Sequence, residues 1–191
     1  MINYNEYIYD NNEHLYGPGE RLLLFCQGCS IRCLGCSNQH MWEFGKGKNI
    51  TVEELVVLCK NVEGITLLGG EPLDQSDELE KIISTLKKRS KTVILFTGYR
   101  RKELKKPSQK KVWELSDLVV SGRFVKSKRN IYLQFRGSTN QRVYRHKGKY
   151  KNYSLQDGKT VAVFSLSKSG EIAVRGFCDD ALDTAFSEII K

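Results

Sequence analysis

Three cysteines carry the clearest chemical signal in the chain. In Phe25-Cys26-Gln27-Gly28-Cys29-Ser30-Ile31-Arg32-Cys33-Leu34-Gly35-Cys36, residues Cys29, Cys33 and Cys36 are spaced C-x3-C-x2-C. Thiolates this close on a loop can converge on one soft metal centre. An iron–sulfur cubane has four irons, so three cysteines leave one iron without a protein ligand and free to bind a substrate or cofactor. Counting Cys26 instead gives C-x2-C-x3-C-x2-C, a set suited to structural zinc or to a closed electron-transfer cluster. Cys26 ends the apolar run Leu22-Leu23-Leu24-Phe25, where a free cysteine packs more readily than it ligates. A disulfide framework is a third option. It suits small secreted chains, and Met1-Ile2-Asn3-Tyr4-Asn5-Glu6 lacks the basic-then-apolar pattern of a secretory signal.

A second stretch, Ile65-Thr66-Leu67-Leu68-Gly69-Gly70-Glu71-Pro72, runs from an apolar strand into two glycines, a carboxylate and a proline. The glycines let the backbone pass close to a ligand, and the carboxylate can accept hydrogen bonds from a ligand ammonium group. A plain strand-to-helix turn explains the glycines but not their pairing with the cysteine loop.

The elements that must position these motifs alternate. Gly17-Pro18-Gly19 is a turn leading into a first strand at Arg21–Cys26, which opens into the cysteine loop. Ser37 to Trp42 follow directly and stay near the cysteines; His40 is read as a packing or hydrogen-bonding residue. Thr51-Val52-Glu53-Glu54 predicts a capping box and a helix over 52–62. A second strand over 64–68 leads to a helix over 76–89, with Leu79, Ile82, Ile83 and Leu86 on its core face. A third strand, 92–96, ends in Thr97-Gly98-Tyr99. Basic helical segments near Lys102 and at 112–115 precede a fourth strand at 118–120. Such alternation predicts parallel strands, whose carboxyl ends gather ligands. All three polar motifs fall at those ends.

Later, 131–135 reads as a strand and Arg136-Gly137-Ser138-Thr139-Asn140-Gln141 as a donor-rich loop. From 145 to 158 the chain is basic and turn-rich, like a hinge. A hairpin is expected from 160–166 and 171–176 with its turn at 167–170. A final helix capped by Asp179 or Asp180 would turn Leu182, Ala185, Phe186, Ile189 and Ile190 inward.

The chain of 191 residues is long enough for one domain with a proper core, and 40% hydrophobic content is ordinary. No run reaches membrane-spanning length, so a cytoplasmic protein is expected. Six cysteines there point to metal or redox chemistry, with Cys59 and Cys178 read as buried apolar residues. The formal charge of +9 concentrates at 100–111, 123–129 and 142–151. It is read first as solvated faces, then as a site for an acidic protein partner. Nucleic acid comes last, because no recognised nucleic-acid module is present.

The cysteine loop followed by Gly69-Gly70-Glu71-Pro72 resembles the radical S-adenosylmethionine superfamily. With Gly17-Pro18-Gly19, Thr97-Gly98-Tyr99, Val120-Ser121-Gly122-Arg123-Phe124-Val125 and Arg136 to Gln141 in the same order, 17–142 is similar to the anaerobic ribonucleotide reductase-activating proteins, small activases of glycyl radical enzymes. The resemblance implies an α/β fold, a partial open (βα) barrel of the radical type, with a C-terminal β-hairpin plus helix extension. Residues 1–144 would form the core and 145–191 an extension packed on it. It implies that Cys29, Cys33 and Cys36 hold a [4Fe–4S] cluster whose fourth iron is chelated by S-adenosylmethionine. Gly69, Gly70 and Glu71 would line the methionine amino end. Gly35 and Ser37 would contribute backbone contacts to the nucleoside, with Asn38 beside them. Thr97 would shape the pocket with Gly98 and Tyr99. Arg136, Ser138 and Asn140 would touch cofactor or partner, or stabilise their own loop.

The implied reaction is reductive cleavage of S-adenosylmethionine to a 5′-deoxyadenosyl radical, which abstracts hydrogen from a glycine of the partner enzyme. The electron comes from a donor such as flavodoxin or ferredoxin. No acid or base is needed, so no catalytic side chain is named. Two departures stand out: Cys26 replaces an apolar residue of the family, and 143–191 extends past the end of the shortest activases. The rival readings are a radical enzyme acting on a peptide or small metabolite, and a zinc or iron–sulfur module without S-adenosylmethionine chemistry.

Overall fold

The computed structural model of the chain describes residues 1–146, 148–166, 170 and 172–176. Its main feature is a seven-stranded sheet formed by β1 (Ile2–Asp10), β2 (Arg21–Cys26), β3 (Lys48–Ile50), β4 (Gly64–Gly69), β5 (Thr92–Thr97), β6 (Leu118–Ser121) and β7 (Arg142–Arg145), in the order β3-β1-β2-β4-β5-β6-β7. The four central strands β2, β4, β5 and β6 run parallel, as the alternation predicts. Antiparallel β1 and β7 flank them. Three helices complete this unit: α1 (Val52–Leu58), α2 (Ser76–Lys88) and α3 (Pro107–Leu115).

Strict alternation along the central strands divides the sheet into two faces. Leu22, Leu24, Ile65, Leu67, Val93, Leu95 and Val119 point to one side and pack with Leu55, Leu79, Ile82, Ile83, Leu86, Val112 and Trp113 from the helices. The intervening residues Leu23, Phe25, Leu68, Ile94, Leu118 and Val120 point the other way, to smaller clusters with Met41, Phe135 and Tyr150. Both faces are therefore covered. That is why β2 is buried at every position and reads as a continuous apolar run.

Several expectations are corrected. No strand forms at 131–135: Phe135 adopts φ 66°, and the side chain of Gln134 is buried in hydrogen bonds to Glu13 O and the Tyr153 hydroxyl. The apolar residues there anchor a turn. Helix α1 stops at Leu58 rather than 62, with Cys59 as its cap, although the capping box at Thr51 and Glu54 forms as expected. Near Lys102 there is a single 3-10 turn, Arg101–Glu103, and α3 begins earlier than expected because Pro107 starts it. Three strands outside the parallel set, β1, β7 and the edge strand β3, carry little sequence signal. In β1 the apolar residues are broken by a bulge between Tyr4 and Glu6. In β7, Val143 and Tyr144 serve opposite faces between arginines, and Tyr144 sits edge-on to Trp113 with ring centroids 5.3 Å apart. The expected hairpin forms as β8 (Ala162–Leu166) and β9 (Ile172–Gly176), in a separate two-stranded sheet. Its turn at 167–169, Cys178 and the final helix lie outside the described residues.

At the amino ends of the parallel strands a buried arginine does the fastening. The Arg21 guanidinium donates to Thr66 Oγ1 at 2.7 Å, Thr92 Oγ1 at 2.9 Å, Ile65 O at 2.7 Å and Tyr150 Oη at 3.0 Å. Tyr150 in turn donates to Glu63, which pairs with Lys149 at 2.9 Å. Burial pulls the Arg21 pKa down, opposed by Tyr150 and Glu63. Removing the guanidinium would leave buried acceptors on β4 and β5 unanswered. Arg21→Met is expected to cost about 2–4 kcal/mol. A thermal melt should show this as a fall in Tm of about 5–15 °C. An unchanged Tm would mean the network is dispensable.

Candidate active site

The carboxyl ends of β2, β4, β5 and β6 open on a cavity of about 510 Å³, on the side of the sheet away from the helices. Phe25, Leu68, Phe96 and Val120, the last such residue of each parallel strand, form its apolar floor. Cys29, Cys33 and Cys36 all line it, with Ser37, Asn38, Gly69, Gly70, Glu71 and Thr97. Three loops distant in sequence thus converge on one space. Cys26 is absent from that lining; it sits fully buried in β2, and burial pushes its thiol pKa up. It packs.

The loops hold one another chiefly through backbone. Gly70 N–H donates to Cys26 O at 2.7 Å and Glu71 N–H to Gly28 O at 2.9 Å. A Cβ on Gly70 would lie 2.3 Å from Gly28 O, and one on Gly69 2.8 Å from Cys26 N. The close approach that demands these glycines is therefore to the cysteine loop itself.

Two carboxylates complete the fastening. Glu71 is buried, and it accepts from Leu73 N–H at 2.9 Å, the Thr97 hydroxyl at 2.7 Å and Gly98 N–H at 2.8 Å. Desolvation outweighs these three donors and pushes its pKa up to about 7. Asp74 accepts from Ser30 N–H at 2.7 Å, Ser30 Oγ at 2.9 Å and Tyr99 Oη at 3.0 Å. One carboxylate ties β4 to β5, and the other ties the cysteine loop to both. Asp74 and Ser30 were not singled out from sequence. The signal available was an acid three residues beyond Glu71, in position to reach back across the turn.

Asn38 N–H donates to Cys36 Sγ at 3.3 Å, and the backbone of Ile31 and Arg32 lowers the pKa of the Cys29 thiol as the Phe124 backbone lowers that of Cys33. Burial raises the pKa of the Cys29 and Cys33 thiols, and these backbone groups oppose it. Hydrogen bonds to sulfur stabilise sulfur-borne charge and tune cluster potentials. The loop bends through Arg32 at φ 49° and Gly35 at φ 77°. Gly35 faces Lys126 and is outside the cavity lining.

Arg136, Ser138 and Asn140 also stand outside this lining, and their partners show why. Arg136 forms a two-pronged pair with Asp157 at 2.6 and 2.7 Å. Ser138 Oγ accepts from Val125 N–H at 3.3 Å, and Asn140 Nδ2 donates to Arg123 O at 2.8 Å. Their loop clamps 122–125, the segment whose Phe124 serves Cys33. The loop-stabilising alternative is the one the geometry supports for these three. Gly137 and Gln141 of the same loop do line the cavity, and Gln141 holds Gly122 O at 2.9 Å. A further lining residue, Trp42, keeps its indole N–H buried without a protein partner. His40 is exposed at the cavity edge.

The donor set fits an iron–sulfur cluster better than a single ion. Ligands of one tetrahedral zinc crowd to within ~4 Å of each other. Among the described residues no three His, Cys, Asp or Glu side chains are placed to hold one metal ion. Thiolates on separate corners of a cubane stand farther apart, and an N–H···S donor is already in place at Cys36.

The family model for a 4Fe-4S single cluster domain matches residues 15–144. The anaerobic ribonucleoside-triphosphate reductase-activating protein of Enterobacteria phage T4 is 32% identical over 137 residues, covering 67% of this chain and 85% of the relative. Those of Haemophilus influenzae and Escherichia coli K12 are 30% and 31% identical, covering 76% and 75% of this chain and 99% and 98% of theirs. The chain belongs to the family of anaerobic ribonucleoside-triphosphate reductase-activating proteins. The motif resemblance is thereby borne out: this is a radical S-adenosylmethionine enzyme, with a [4Fe–4S] cluster and S-adenosylmethionine as cofactors. The structure of QueE from Escherichia coli aligns at 19% identity over 51% of this chain and 52% of its own, with a TM-score of 0.42, too low to carry weight.

Two outcomes follow from the site. Cys33→Ala should abolish most of the iron bound on anaerobic reconstitution, whereas Cys26→Ala should leave iron content within error of wild type; equal losses would make Cys26 a ligand. Glu71 is protonated in the folded chain and ionised in the unfolded one between pH 4.5 and about 7. Its contribution to stability therefore falls as pH rises across that window and is constant above it. The stability of wild type relative to Glu71→Gln should decline by up to about 3 kcal/mol over the window, read from denaturant midpoints. A difference that does not vary with pH would contradict the assignment.

Proposed function

We propose that this chain is an activase that installs a glycyl radical on anaerobic ribonucleoside-triphosphate reductase. The observation that carries the reading is the convergence of Cys29, Cys33 and Cys36 with Gly69-Gly70-Glu71 and Thr97 around one cavity at the strand ends. Family membership supports the choice of partner. When bound there, the cluster and S-adenosylmethionine would supply one-electron chemistry, directed in this reading at a glycine Cα of the partner.

The chain's own groups bind, orient and exclude water. Cys29, Cys33 and Cys36 would hold the cluster and leave one of its irons open to S-adenosylmethionine. Gly69 and Gly70 present backbone to the methionine end, with Glu71 behind them. Ser37 and Asn38 flank the nucleoside, and the Trp42 N–H gives an acceptor of the bound cofactor a partner it lacks within the protein. Phe25, Leu68, Phe96 and Val120 keep the floor dry, which protects a reactive radical.

In the same reading the sheet is the partial open barrel of this enzyme type. Residues 1–144 are its core, and 145–191 form an extension anchored by Tyr150. Val174 and Gly176 of β9 bring that extension to the cavity. The electron donor is a flavodoxin or ferredoxin, and the setting is the cytoplasm; no described helix is long and apolar enough to cross a membrane.

Anaerobic mixing with reductant, S-adenosylmethionine and the reductase should give 5′-deoxyadenosine and a protein-centred doublet in the electron spin resonance spectrum. 5′-Deoxyadenosine without a doublet would move the chain to a peptide or metabolite substrate. Absence of 5′-deoxyadenosine would remove the radical reading altogether.

A further inference from the structure

A second concavity, of about 550 Å³, lies beside the first. Arg100, Arg101, Lys102 and Arg142 line it, with Ser121 and Asn140. The two spaces share a wall: Ser121 and Asn140 face this groove, while their chain neighbours Gly122 and Gln141 line the cluster cavity. We propose that this groove binds an acidic peptide segment of the protein partner, close in sequence to the residue that enters the cluster cavity.

Charge is the first argument. Glu103, next in sequence to Lys102, is already engaged by Arg123 at 2.8 and 2.9 Å and by Arg100 N–H at 2.7 Å. Arg100, Arg101, Lys102 and Arg142 are exposed, so their positive potential is left for a ligand.

Aromatic content, the second argument, disfavours nucleic acid. Single-stranded nucleic acid needs an aromatic face for base stacking. The one aromatic residue of the groove, Tyr144, is set edge-on against Trp113. Location is the third argument. The groove adjoins the cluster cavity across the shared wall, within reach of residues that flank a backbone entering that cavity.

The existence of the site stands on the groove alone; the identity of the partner rests on the activase reading. The test uses the reconstituted full chain and a fluorescein-labelled peptide of alternating Glu and Gly, with a Gln–Gly peptide as control, read by anisotropy. The acidic peptide should bind and the control should not. Arg101→Glu with Arg142→Glu should weaken binding by about tenfold, with the effect shrinking at high salt. Lys102→Glu alone, a milder change, should weaken it by about threefold. Both variants should keep full 5′-deoxyadenosine formation in the absence of partner. Unchanged binding in the variants would overturn the proposal. So would displacement of the peptide by inorganic phosphate or by an oligodeoxythymidine at matched charge. With the reductase present, the concentration giving half-maximal radical should rise about tenfold in the double variant, and an unchanged value would also count against the groove. Failure of the wild type to make any radical, with peptide binding intact, would sink the activase reading and leave the site standing.

Discussion

A carboxylate sealed from water must be met by donors, and here that requirement joins three loops. Glu71 accepts from the Thr97 hydroxyl and Gly98 N–H at the end of β5 while its own backbone N–H holds Gly28 O in the cysteine loop. Asp74, one turn on, grips Ser30 and Tyr99. Neither interaction contacts a metal, yet together they fix where the thiols stand. Preorganisation of this kind matters more than any single contact, because a radical formed in a loosely held site would react with whatever lay nearest.

The sheet sets the terms for those loops. Period-two alternation sends one set of aliphatic residues to the helices and the other to the cavity floor, so the same strands supply the core and the dry surface beneath the site. Arg21 holds the amino ends of the strands together, and Glu71 with Asp74 holds the carboxyl ends. The late loop from Arg136 to Gln141 acts at one remove: it clamps 122–125, and the Phe124 backbone of that segment favours the charged form of Cys33. A motif distant from the cysteines in sequence is in this way part of their environment.

The central strands, α2 and the three polar motifs were legible because each is signalled locally, by apolar runs, by the spacing of Leu79, Ile82, Ile83 and Leu86, or by glycines at strand ends. What sequence did not disclose was decided by distant partners. Gln134 looks like one residue of a strand until Glu13 and Tyr153 claim its side chain. β1, second from one edge of the sheet, and β7, at the other edge, carry mixed polarity because each is only partly buried. The glycine types of Gly69 and Gly70 have a second cause that sequence does not show, the close approach of the cysteine-loop backbone. For Arg136, Ser138 and Asn140 the sequence leaves cofactor contact, partner contact and loop stabilisation open, and their hydrogen bonds supply the loop-stabilising role.

The account turns on a cluster held by three cysteines, with one iron left to the cofactor. Mössbauer spectroscopy of ⁵⁷Fe-reconstituted protein, before and after addition of S-adenosylmethionine, reads that iron directly. A single iron subsite should shift its spectrum toward higher coordination while the other three stay unchanged, and the same shift should appear in Cys26→Ala. Four iron sites indifferent to S-adenosylmethionine would contradict the account.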